Sequence, residues 1–150
     1  MLIKYLDIIL VLCVLVLSGA QDIKKGEINI TVPLIITGAD LLIRLFFGRI
    51  DIADTFKGAA IGAAVMILSM VTNESIGMGD GIILLCTGAM AGFEKNMELF
   101  FSALILCGMC GLFLMLILGK SRKTKVPFVP FLLAAFGIME ILSIGGGVMI

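Results

Sequence analysis

At 150 residues, 61% hydrophobic, with a mean hydropathy of +1.22 and eleven basic against eleven acidic groups, the chain is excluded from the ordinary soluble domains. It has no histidine cluster, basic arm or aromatic-studded basic stripe, so nucleic-acid binding has no support. Its apolar residues fall in successive runs near the ~20 residues a helix needs to cross a bilayer, which predicts an all-α integral membrane protein.

Six spans are expected, at 5–20, 28–47, 53–72, 80–93, 97–119 and 127–144, packed as one compact bundle and one membrane-embedded domain over 1–150. The connections are short and polar: QDIKKGE, GRID, NESIGMG, EKN and KSRKTK. The first span has a rival reading as a secretory leader, because Lys4, an apolar run at 8–17 and Ser18-Gly19-Ala20 have the layout of one. Asp7 within the apolar approach weighs against cleavage, and cleavage after Ala20 would leave Asp22 at a new terminus with nothing to hold it. Retention of the span is therefore expected.

In the third and fourth spans, Gly58-Ala59-Ala60-Ile61-Gly62 and Gly88-Ala89-Met90-Ala91-Gly92 put small residues one helical turn apart, where helices approach closely. Packing inside the bundle is the expected use, with a dimerisation face as the alternative. Cys107 and Cys110 form a C-x-x-C inside the apolar fifth span. A tetrahedral metal site needs a second pair or histidines, so no metal or other cofactor is expected.

Lysine and arginine in short loops set orientation, and Lys120, Arg122, Lys123 and Lys125 form the strongest cluster. That loop is expected to be cytoplasmic, with Lys24, Lys25 and the segment 77–80 on the same side and both chain ends outside. Arg44, Arg49 and Lys57 fall on the outer side, against the rule.

The candidate chemistry lies at Gly77-Met78-Gly79-Asp80, where a carboxylate stands beside two glycines at the mouth of an uncharged run. An ionisable group there is costly and usually functional; the plain alternative is a helix N-cap. The run from 80 to 93 covers only about 21 Å at ~1.5 Å per residue, against about 30 Å of hydrocarbon, so Asp80 is expected to be inset from the headgroups. Asp22, just past the first span on the same side, is the best partner. Asp40 has Arg44 four residues on, so a local ion pair accounts for both. Glu140 lies inside the last span without a cation near it in sequence, and fits either a hydrogen-bonded structural acid or a third member of the site. Two facing carboxylates cannot both ionise easily: one keeps a proton while the other draws a proton from water.

These residues resemble the type IV prepilin peptidases and their preflagellin-peptidase relatives, membrane aspartic proteases known for a Gly-x-Gly-Asp motif. Gly77 through Asp80 match that motif. Asp22-Ile23-Lys24, followed by Ile28, resembles the first-aspartate segment, and the stretch from Lys125 to Leu132 is similar to the proline-containing entry to the last helix. The resemblance implies catalytic Asp22 and Asp80, positioning by Gly77, Gly79 and Lys24, and cleavage of short basic leaders from prepilin-like precursors at the cytoplasmic face of the cell membrane. Glu27 and Glu74 are candidate contacts for a basic leader, with solvated loop acids as the alternative. Ile82 stands where the family often has a lysine, and Asn29 replaces a Pro-Asn. The long bacterial members carry a segment with paired C-x-x-C motifs and N-methylate the product; without that segment, no methyltransferase activity is expected. Two other classes remain open: an ion- or proton-coupled transporter using Asp22, Asp40, Asp80 and Glu140, and a non-catalytic membrane assembly factor.

Overall fold

The computed structural model describes residues 2–25, 29–72, 77–116 and 127–145. They form α1 (Leu2–Lys25), α2 (Thr31–Phe46), α3 (Ile52–Val71), α4 (Met78–Ala91), α5 (Phe93–Leu116) and α6 (Val129–Gly145), with no strand among them. Among the described residues, three stretches are long and apolar enough to cross a membrane, Tyr5–Lys24, Ile52–Val71 and Phe93–Leu116. The architecture is the expected all-α membrane bundle.

The helix starts have local causes. The Asn29 side chain accepts from the Thr31 N–H at 3.1 Å and opens α2, where Pro33 sits in the first turn, the one place its missing N–H costs nothing. Asp51 accepts from the Asp54 N–H at 3.1 Å and opens α3. Between α4 and α5 there is a single residue, Gly92, at φ +85°, a conformation open to glycine and strained for side-chain-bearing residues. Asp54 of α3 then accepts the Phe93 N–H at 3.1 Å, capping α5 from another helix.

That cap corrects one expectation. Glu94-Lys95-Asn96 do not form a connecting loop; they are the first turn of α5, where Glu94 suits the positive end of the helix. Asn96 is fully buried, donating to the carbonyls of Gly58 (3.2 Å) and Leu84 (3.0 Å) and accepting from the Thr87 hydroxyl (2.9 Å). Two other bounds move as well. Helix α1 runs on to Lys25, so Asp22 lies in its last turns rather than beyond it, and α4 begins at Met78, so Asp80 sits in its first turn.

Helix α4 is the inner element, with Ile83, Leu84, Cys86 and Met90 buried and α1, α2, α3 and α5 around it. Its closest neighbour is α3, along the small-residue positions. A Cβ on Gly58 would strike the Gly88 carbonyl, and one on Gly62 would strike the Leu85 backbone. The two glycine motifs are thus used inside the bundle, as expected. The remaining core joins Val11, Val14 and Leu15 of α1 to Leu99 and Ala103 of α5 and Leu132 and Phe136 of α6. Outward faces carry Ile9, Val16, Phe101, Ile105, Phe113 and Ile141, all exposed. Lipid is as apolar as these side chains, so such a surface is stable in a bilayer.

Candidate active site

The C-terminal end of α1, the N-terminal end of α4 and the N-terminal end of α6 meet at one end of the bundle, and each contributes to one polar site. Helix α1 is seated on α6 through Gly19, whose Cβ position would lie 3.8 Å from the Val129 side chain and the Pro130 nitrogen, beside the buried Ser18. One turn further, Asp22 turns inward, and its Oδ2 accepts the Val129 N–H at 3.2 Å. Helix α4 is pressed onto α3 at the same level, since a Cβ on Gly81 would come within 2.6 Å of the Met66 side chain. The adjacent Asp80 is half-buried and within electrostatic reach of Asp22.

The glycine at 77 has a physical reason. It is the N-cap of α4 in an extended conformation, its carbonyl accepts the Asp80 N–H at 3.1 Å, and a Cβ there would lie 2.8 Å from Asp80 Oδ2. A side chain at 77 would crowd the carboxylate. Gly79 is half-buried in the first turn, and Lys24 is exposed two residues past Asp22. Glu27 and Glu74, the candidate leader contacts, lie outside the described residues, as do Lys120, Arg122, Lys123 and Lys125.

Glu140 is not brought to this pair. It faces Lys95 of α5 at 3.7 Å, and lines a cavity of about 150 Å³ with Asp7, Arg44, Met90 and Phe136. Asp7 and Asp22 are fifteen residues apart on one helix, about 22 Å at ~1.5 Å per residue, so this cavity belongs to the opposite end of the bundle. The lysine that pairs Glu140 is remote in sequence, which is why the last span read as lacking a cation. Arg44 reaches Asp40 at 3.0 Å as expected, and also Asp7 at 3.3 Å and the Met90 carbonyl.

Two neighbours of the pair were not foreseen. The first is the Val129 N–H, a backbone donor that no side-chain pattern reveals. The second is Cys107 of α5, half-buried and within electrostatic reach of Asp80. Its C-x-x-C inside an apolar span gave no sign of a neighbouring acid.

Chemically, two carboxylates within electrostatic reach at the end of an apolar bundle can share a proton and activate water. A family model described as the type IV leader peptidase family matches residues 9–112, a stretch that includes both Asp22 and Asp80. No curated protein and no solved structure matches the chain.

Proposed function

The chain belongs to the type IV leader peptidase family, and from that premise we propose that it is a membrane aspartic endopeptidase which removes short basic leaders from prepilin-like precursors, with Asp22 and Asp80 as the catalytic pair. The observation that carries this reading is that α1 and α4, far apart in sequence, pack against each other and bring Asp22 and Asp80 within electrostatic reach at one end of the bundle. Water bound between the two carboxylates loses a proton to the ionised member as its oxygen attacks the scissile carbonyl carbon. The other member gives its proton to the carbonyl oxygen. Collapse of the tetrahedral adduct breaks the C–N bond, the nitrogen takes the proton first drawn from water, and an adduct hydroxyl returns a proton to the second carboxyl.

The reading extends to a single peptidase domain without methyltransferase activity, acting at the cytoplasmic face. Gly77 keeps the approach to Asp80 open, and Gly79 and Lys24 are proposed to position the substrate segment. The site end is also where a leader between the headgroups and an apolar helix would enter. A proton path through the bundle is less well supported. Among the described residues, the apolar layer of Val11, Val14, Leu15, Ile83 and Leu84 separates Asp22 and Asp80 from Asp7, Asp40 and Glu140.

Co-expression with a prepilin-like precursor tests the proposal. The parent is expected to yield a product whose new N-terminus follows the basic leader, and Asp22→Asn and Asp80→Asn, each reaching the membrane at parental levels, are expected to yield none. Full processing by either variant removes that residue from the pair.

A further inference from the structure

The two acids are equivalent in the reaction as written, but their surroundings are not. Resting on the two-aspartate reading above, we propose that Asp22 is the charged member that takes the proton from water, and that Asp80 carries the shared proton and delivers it to the substrate carbonyl oxygen.

The asymmetry begins with the Val129 N–H. Val129 is the first residue of α6, so its N–H is one of the donors a helix leaves without an intrahelical partner. It is fully buried, away from water that would compete for the bond, and it points at Asp22 Oδ2 at 3.2 Å. A charge-assisted bond of this kind favours the anion, and the positive end of the α6 dipole, a helix of 17 residues, acts in the same direction. Among the described residues no hydrogen-bond donor reaches the Asp80 carboxylate.

Two effects act the other way. Asp22 lies near the negative end of α1, and Asp80 in the favourable first turn of α4. A direct bond to a charged acceptor exceeds such end-of-helix effects, so the balance stays with Asp22. The other ionisable groups nearby do not reverse it. Cys107 of α5 is a thiol within electrostatic reach of Asp80, and Lys24, on the same helix as Asp22, is exposed. With Asp22 charged, a second negative charge on Asp80 is disfavoured by proximity, which keeps the proton there.

The roles are distinguishable by two reagents on the purified full chain, once the parent has been shown to cleave a precursor. A charged carboxylate opens an epoxide: its oxygen bonds to a ring carbon, the ring C–O bond breaks and the alkoxide takes a proton from water. A protonated carboxyl reacts with a diazoacetyl ester: its proton moves to the diazo carbon, nitrogen gas leaves and the carboxylate becomes an ester. Mass mapping is expected to find the epoxide on Asp22 and the diazo ester on Asp80; the reverse pattern, or both reagents on one residue, overturns the assignment.

Val129→Pro removes the donor at a helix position that tolerates proline. It is expected to abolish the epoxide preference for Asp22 and lower kcat by about tenfold with KM unchanged. Val129→Ala retains the N–H and is expected to keep the epoxide on Asp22 and the diazo ester on Asp80. Unchanged labelling and kcat in Val129→Pro overturn the role of the bond; should that variant not fold, the labelling of the parent alone decides. A parent that cleaves no precursor removes the peptidase reading and this assignment with it, whereas a cleaving parent with exchanged labels removes the assignment alone.

Discussion

Arg44 holds three groups with one guanidinium: Asp40 on its own helix, Asp7 on α1 and the Met90 carbonyl at the end of α4. The Asp40 side chain is 1% exposed, and among the described residues Arg44 is the cation that pairs it. Breaking a buried pair by removing one partner leaves an uncompensated charge and costs about 3–5 kcal/mol. Arg44→Gln is therefore expected to lower the midpoint of detergent-induced unfolding sharply, and Asp40→Asn in that background is expected to recover part of the loss. Lys95→Gln should do much less, because that lysine side chain is 42% exposed and meets Glu140 at 3.7 Å. Equal losses in Arg44→Gln and Lys95→Gln would show that burial does not set the strength of these pairs. The same residue-level logic links Asp54 and Asp22, each a carboxylate on one helix accepting the first N–H of another. At Asp54 the bond only starts a helix, whereas at Asp22 it also holds a carboxylate within electrostatic reach of Asp80.

At the scale of elements, the α3–α4 contact decides where Asp80 stands. Gly62 touches the backbone of α4 directly, with a projected Cβ 2.6 Å from the Gly81 carbonyl, next to Asp80. Gly62→Leu is expected to force the helices apart, with a stability loss above the ~1–3 kcal/mol typical of overpacking because backbone cannot yield as a side chain can, and with a loss of cleavage. Gly108→Ala on α5, where nothing lies within 4 Å, is expected to be neutral or slightly stabilising, read by the same unfolding assay. A normal unfolding midpoint in Gly62→Leu would mean that the glycine pair is not the contact that sets this spacing. These glycines were legible in the sequence because their one-turn spacing is a property of a single helix. So were the helices themselves, and the i, i+4 pairing of Asp40 with Arg44. What was hidden came from contacts between distant segments. The cap from Asp54 turned Glu94-Lys95-Asn96 into helix, Lys95 met Glu140 across two helices, and the end of α6 supplied a backbone donor to Asp22. A side-chain pattern along one helix carries no trace of an N–H from another.

Over the whole molecule, the bundle has polar groups at two ends and an apolar waist of Val11, Leu15, Ile83, Leu84 and Phe136 between them. Asp7, Arg44, Lys95 and Glu140 stand at one end, Asp22 and Asp80 at the other. On the proposed reading, the end with Asp22 and Asp80 is the one that meets a leader peptide, and Lys24 and Lys25 beside it favour the cytoplasmic side for that end. The connection from α2 to α3 then faces outward, with Arg49 and Lys57 near it against the rule. Asn29 and Arg49 are both exposed, on the connections at the two ends of α2. In a background with Cys13, Cys86, Cys107 and Cys110 replaced by alanine, a membrane-impermeant maleimide added to intact cells is expected to modify Arg49→Cys. Asn29→Cys should react only after the membrane is opened. The opposite pattern would put Asp22 and Asp80 outside the cell, where a precursor held by its cytoplasmic leader cannot present its cleavage site; the acid pair would keep its chemistry but lose its proposed substrate.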